Sequence, residues 1–341
     1  MTGLPLLTFN DNGIYCPKGD FYIDPWRPVK KALITHAHAD HARFGSDHYL
    51  ANKGSEAIMR YRLGDDIKLE TVEYNEKLSI NGVKVSFHPA GHIIGSAQIR
   101  VEYKGEIWLV TGDYKLTDDG VAEAFEPVKC NTMITECTFG LPVFNWPDQE
   151  SVFDAINQWW QNNAREGKAS LLMAYSLGKA QRIFRHINRD IGPVYTHGAI
   201  FNSNEILQPQ TSFDLSSQRI TSETKKAELK NALIIAPPSA INSSWSKKLK
   251  PYSLGIASGW MALRGARRRR AADRGFILSD HADWKELNEA IQLSQPENII
   301  TTHGYTDIFT KWLNDQGYNA VQEKTLYTGE MVDEKEEGGE K

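Results

Sequence analysis

The sequence predicts an α/β protein of two domains, and three observations carry that reading. The chain has 341 residues, more than one typical small core organises. Apolar, strand-like runs end one after another in His, Asp or Glu. A middle stretch alternates helical and strand periodicity, the pattern of a parallel, doubly wound sheet.

The elements follow in order. "KKALITH" reads as a buried strand running into a histidine cluster. "VKVSFHPAGH" alternates and ends at Gly91 and His92. "QIRVEYKGEIWLVTGD" reads as a hairpin turned at Lys104-Gly105 and ending at Gly112 and Asp113. "TMITECTFG" is a further apolar strand, ending at Glu136 and Gly140. The pattern then changes. "ESVFDAINQWWQNNARE" sets Val152, Ile156, Trp159 and Trp160 at helical spacing. "ASLLMAYS" (strand), "KAQRIFRHINRD" (helix), "GPVYTHGAI" (strand) and the short strands "ALIIAPPS" and "SLGIASG" come next. "GFILSDHAD" is expected as a strand reaching His281. The helix "WKELNEAIQLS", the strand "ENIITTHG" and the helix "DIFTKWLNDQG" precede a charged tail, "DEKEEGGEK", of disordered composition.

Composition narrows the classes. Hydrophobic residues make up 40% of the chain, enough for a sizeable core, and the net charge of -4 offers no global field for nucleic acid. A local patch can still supply one. No run of about 18 apolar residues suggests a membrane span. "MTGLPLLTFNDNG" lacks the basic start and apolar length of a secretion signal. Cys16, Cys130 and Cys137 form neither a disulfide framework nor a C-x-x-C pair. A reducing cytoplasm is the expected location.

The stretch "HAHADH" concentrates ligand chemistry. His36 and His38 are two apart, so in extended backbone they share a face and can reach one ion. Asp40 and His41 turn toward a second position, and the intervening alanines leave room for close approach. Imidazole and carboxylate are ligands that zinc and manganese accept. A single histidine is more often structural; this cluster ends a buried strand, which an adventitious surface site would not do. His36, His92, Asp113, Glu136, His281 and His303 all lie at strand ends, where α/β proteins gather their sites.

The ordered set "HAHADH", "PAGHIIGS", "TGDY" and "TTHG" resembles the signature of the metallo-β-lactamase superfamily. That resemblance implies an αββα sandwich. It also implies two divalent ions: one on His36, His38 and His92, the other on Asp40, His41 and His303, with Asp113 bridging. Zinc is the expected bound ion and manganese the alternative activating one. The segment between "ITECTFG" and "LSDHADW" resembles the inserted α/β cap of the β-CASP nucleases. "ECTFG" matches their acidic motif at Glu136, "SDHADW" their histidine motif at His281, and His303 their third motif. "AYSLGKAQRI" is similar to a stretch of the cap. The implied layout is 1–145 and 275–331 for the metallo-β-lactamase domain, 146–274 for the cap and 332–341 for the tail.

Phosphodiester chemistry fits these residues. Departure of the leaving oxygen needs a proton donor, and His281 oriented by Glu136 can be a general acid. "RGARRRR" places Arg264, Arg267, Arg268, Arg269 and Arg270 in seven positions, read either as a solvated loop or as backbone phosphate contacts. Ser176 and Lys179 are guesses for a terminal phosphate at a helix N-terminus. Longer phrases, among them "GIYCPKGDFYIDPWRPVKKALITHAHADHARFGS" and "SGWMALRGARRRRAADRGFILSDHADW", resemble the bacterial ligase-associated DNA exonucleases. This implies single-stranded or end-containing DNA as substrate. It also implies repair alongside an ATP-dependent DNA ligase and a DNA helicase. His303, where the crosslink-repair branch carries valine, keeps an RNA-processing nuclease open. A lactone or thioester hydrolase and a non-catalytic nucleic-acid scaffold are the readings from other classes.

Overall fold

The computed structural model describes residues 5–263, 265 and 272–327. The five arginines at 264 and 267–270 and the charged tail 332–341 lie outside the described residues. The chain is a mixed α/β fold with three sheets. It divides into two units, Met1–Val143 with His281–Gly329, and Phe144–Asp280.

The first unit holds two sheets. One runs Thr8–Asn10, Gly13–Cys16, Phe21–Ile23, Lys31–Ile34, His48–Asn52, Leu69–Val72, antiparallel at its start and parallel thereafter. The other has seven strands. Asn319–Gln322, Asn298–Gly304, Thr132–Cys137 and Glu106–Val110 are parallel neighbours, followed by the antiparallel Ala97–Tyr103, Val83–Pro89 and Leu78–Ile80. Leu33 and Leu50 of the first sheet share one core with Val85, Phe87, Ile99, Val101 and Ile134 of the second, so the sheets bury their facing sides against each other. The opposite side of the second sheet presents Leu109, Met133 and Ile299. These pack with Leu287 and Ile291 of the helix Trp284–Ser294 and with Phe309 and Leu313 of the helix Thr306–Asp315. The hairpin turn forms at Lys104 and Gly105, both with positive φ, the pair of values a two-residue turn between twisted strands requires.

The second unit is a six-stranded, wholly parallel sheet, ordered Gln218–Arg219, Val194–Thr196, Leu233–Ala236, Ala169–Met173, Tyr252–Ala257, Arg274–Phe276. The helix Gln149–Arg165 buries Val152, Phe153, Ile156 and Trp160, and Asp148 caps it by accepting from Ser151 N. Chain return falls between Asp280 and His281, not at 274/275, because Arg274–Phe276 pairs with Tyr252–Ala257 and so belongs to this sheet. That strand is also shorter than "GFILSDHAD" suggested. Beyond it, the Ser279 carbonyl accepts from the Arg182 guanidinium instead of entering a ladder. Among the described residues, no helix is long and apolar enough to cross a membrane.

Candidate metal centre

Three loops, each fed by a buried strand of the first unit, build most of the centre, and the strand Asn298–Gly304 adds His303. After Lys31–Ile34 the chain makes a single turn, with His41 N and Ala42 N donating to His38 O. The turn separates His36 and His38 from Asp40 and His41. Arg62 donates to the Ala37 carbonyl within it. After Val83–Pro89, Gly91 adopts φ +74°, and a Cβ there would stand 2.1 Å from the Lys115 carbonyl oxygen. Only glycine fits. The loop then closes through Ser96 Oγ, which accepts from the amides of His92 and Ile93. After Glu106–Val110, Gly112 lies against Thr35, where a Cβ would come within 2.7 Å of the threonine side chain. This close approach delivers Asp113 to the histidine turn.

The result is two overlapping ligand groups. His36, His38, His92 and Asp113 form one, and His41, Asp113 and His303 the other; within each, the ligand atoms lie within 4.8 Å of one another. Asp113 is the shared member. Its Oδ2 stands 3.5 Å from His36 Nε2, 3.5 Å from His41 Nε2 and 3.8 Å from His92 Nε2, and its Oδ1 2.9 Å from His303 Nε2. His92 Nε2 and His38 Nδ1 are 3.0 Å apart. Asp40 sits beside the second group, its Oδ2 3.8 Å from His41 Nε2. All of these are buried except His303, which is partly exposed.

The donor set fits divalent ions. Among the described residues, His36 Nε2 and His41 Nε2 are buried with no hydrogen-bond partner. Their other ring nitrogens are held: His36 Nδ1 by Thr35 Oγ1 at 3.0 Å, His41 Nδ1 by Asp24 Oδ2 at 2.7 Å. An Nδ1–H donated to a carboxylate leaves the Nε2 lone pair facing inward, the arrangement a metal-binding imidazole needs. Electrostatics agree with crowded, uncompensated charge. Burial pushes the Asp113 carboxyl up, but the imidazoles of His41, His281 and His303 outweigh it and hold the group well below the usual carboxylate range. Burial pulls His41 down, yet the carboxylates of Asp113, Asp40 and Asp24 push it up to about 10.

Glu136 and His281 adjoin this centre. His281 Nδ1 lies 3.0 Å from both carboxylate oxygens of Glu136. The carboxylate is itself fixed by two amides, Tyr114 N to Oε1 at 3.0 Å and Thr138 N to Oε2 at 3.3 Å. With Asp113 the pair makes a third group of ligand-type atoms within 4.8 Å, and the His281 ring packs 4.7 Å from that of His92. The structure thus brings together His36, His38, Asp40, His41, His92, Asp113, Glu136, His281 and His303.

Other expected residues stand elsewhere. Ser176 is buried in the second unit. Lys179 is not presented as a free phosphate contact: its side chain is buried, with Nζ 2.9 Å from Asp280 Oδ2. Two histidines outside the expected set sit in the same unit: His197 caps the helix Gly198–Leu207, and His186 stacks on Phe153. The sequence reading missed Asp24 and Tyr327. Asp24 follows the strand Phe21–Ile23, so the strand-end rule that pointed to His36 and Asp113 points to it too, although it holds His41 rather than facing the ligand groups.

No family model matches the sequence. Among curated proteins, the chain is 30% identical over 321 residues to a probable DNA ligase of Opitutus terrae, covering 91% of this chain and 30% of that one. It is 24% identical to cleavage and polyadenylation specificity factor 73 of Drosophila melanogaster, covering 70% of this chain and 42% of that protein. It is 25% identical to an RNase J-like protein of Methanocaldococcus jannaschii, over 82% of this chain and 77% of that protein. The chain therefore spans well under half the length of the first two. A crystal structure of a protein of unknown function from Enterococcus faecalis shares the fold, with a TM-score of 0.58 at 12% identity, covering 87% of this chain and 79% of that one. Fold and site define a metallo-hydrolase scaffold. With these relatives, the chain belongs to the metallo-β-lactamase superfamily, in its β-CASP nuclease group.

Proposed function

We propose that the chain is a metal-dependent DNA exonuclease that hydrolyses phosphodiester bonds, built as an αββα sandwich with an inserted cap. The observation that carries the reading is Asp113, shared by two histidine groups and by the Glu136–His281 pair. His36, His38 and His92 would hold one ion, Asp40, His41 and His303 the other, with Asp113 common to both. Two divalent ions there, zinc or manganese, would supply a hydroxide near neutral pH and neutralise charge on a phosphate oxygen. The protein's own groups do the rest. Glu136 accepts from His281 Nδ1–H and so fixes the ring's tautomer and plane. His281 Nε2 then delivers its proton to the departing oxygen.

DNA is favoured over RNA by the relative named a probable DNA ligase, similar over nearly the whole chain. The same likeness supports a role beside a DNA ligase. A helicase as a further associate is proposed from the sequence resemblance alone, and the cytoplasm as location from the free cysteines alone. The RNase J-like relative favours RNA as the second reading. The test is to incubate metal-loaded protein with end-labelled single-stranded DNA, matched RNA and a generic lactone. Asp40→Ala serves as the control for contaminating nuclease. DNA shortened from an end, only by the wild type, is the expected result. RNA cleavage with DNA untouched promotes the second reading, and consumption of the lactone alone overturns both.

A further inference from the structure

The segment at residues 326 and 327 returns across the sequence to the metal-binding turn, and its side-chain contacts fall on one side of the centre. The Tyr327 ring stacks on His41, with centroids 4.5 Å apart and planes at 5°. It meets the edge of His303 at 5.6 Å and 74°. Its hydroxyl donates to the Asp24 backbone carbonyl at 2.9 Å, on the same residue whose carboxylate holds His41 Nδ1. Trp26 closes the far edge of the ring at 5.6 Å. Tyr327 is thus buried although its neighbour Leu326 is half exposed.

Arg43 ties this segment to the turn. One guanidinium nitrogen donates to the Leu326 carbonyl at 3.0 Å, while Nε donates to the Asp40 carbonyl at 3.2 Å and Nη1 to the Trp26 carbonyl at 3.4 Å. A planar, five-donor group suits this three-way junction, where an ammonium would serve one carbonyl at a time. Arg43 therefore joins the backbone of Asp40 to the backbone beside Tyr327.

The selectivity is the point. Among the described residues, the ring contacts of Tyr327 are with His41, His303 and Trp26, and none is with His36, His38 or His92. We infer that Tyr327, seated by Arg43 through Leu326, is a positioning residue for His41 and His303 and so governs occupancy of the second of the two metal positions. A stacked aromatic plane restricts rotation of the His41 ring about its Cβ–Cγ bond. The Asp24 bond then sets which nitrogen faces inward. The first position takes its order from elsewhere, with His36 held by Thr35 and the His92 loop by Ser96. The inference rests on the two-ion reading above.

The test titrates the full chain with zinc against a competing chelator and counts bound ions by native mass spectrometry, with no substrate present. Wild type should take up two zinc ions. Tyr327→Leu, which stays apolar but neither stacks nor donates, should weaken one of them by about 10–100-fold and leave the other within about twofold. Tyr327→Phe, which keeps the stack, should recover most of the loss. Arg43→Gln should weaken the same ion, and it decides the matter if Tyr327→Leu does not fold. Equal weakening of both ions, or wild-type affinities in these variants, overturns the positioning role alone. A wild-type chain that takes up fewer than two ions overturns the two-ion reading with it.

Discussion

Two clusters of buried charge, one in each unit, differ in how their atoms are satisfied. In the second unit, Asp280 accepts from Lys179 Nζ at 2.9 Å through one carboxylate oxygen and from Arg182 Nη1 at 2.8 Å through the other. Lys179 also lies over the Tyr175 ring at 4.6 Å. There, two cations meet an anion directly. In the first unit, five imidazoles and two carboxylates converge, and the atoms that meet are largely acceptors: His36 Nε2 and His41 Nε2 face Asp113 oxygens at 3.5 Å. In that set of side chains positive charge can come from imidazolium alone, as at His41, where burial pulls the ring down yet the carboxylates push it up to about 10. Both clusters are largely buried, so burial does not mark the functional one. The sign of what is left over does.

Mutations sharpen this contrast by asking each cluster for a different loss. Removing the shared carboxylate with Asp113→Ala should cut nuclease activity by about 10,000-fold or more, several kcal/mol of transition-state stabilisation, while circular dichroism stays native. If the first cluster were structural like the second, that variant would unfold. His281→Ala should cost about 100- to 10,000-fold in turnover with both ions still bound, measured as activity beside metal content. Adding Glu136→Gln to it should cost little more, because the two act as one unit. A metal content that falls with His281→Ala would move that residue from proton donor to ligand.

Asp280→Asn should behave in the opposite way. It leaves two buried cations against a neutral amide, and about 3–5 kcal/mol of stability should be lost in urea unfolding, with zinc uptake unchanged. A loss below about 1 kcal/mol would erase the contrast between the clusters. The smallest effect is expected from Asp24→Ala. Its carboxylate takes Thr35 N at 2.8 Å and Thr35 Oγ1 at 2.5 Å as well as His41. Zinc affinity should fall by about 10–100-fold at the second position, with a lesser effect passed through Thr35 to His36.

Much of this was legible in the sequence because strand ends carry the chemistry. Runs such as "KKALITH" and "TMITECTFG" show both the buried strand and the residue it delivers. The hairpin at Lys104-Gly105 was legible from its turn chemistry. The helix Gly198–Leu207 was not. Its inner face includes Ser203 and Asn204, and Asn204 accepts from Gln181 and donates to the Leu215 carbonyl, so a polar buried face hides the helical period. The short opening strands of the first sheet gave too few residues for a period. Asp24 and Tyr327 were missed for a different reason. They act on the imidazole of His41 rather than in the ligand motif, and Tyr327 lies far along the chain from that ring. Lys179 was read as a phosphate contact because its partner, Asp280, is equally remote in sequence.

The hairpin described earlier offers a practical handle. Its strands, Ala97–Tyr103 and Glu106–Val110, carry His92 and Asp113 beyond their far ends, while the tip at Lys104-Gly105 is open, with nothing near the space a Gly105 Cβ would fill. At about 3.3 Å per residue, that tip stands on the order of 20 Å from the reacting groups. A fluorophore or a surface tether placed there would let single molecules be followed in the activity tests without touching the metal centre.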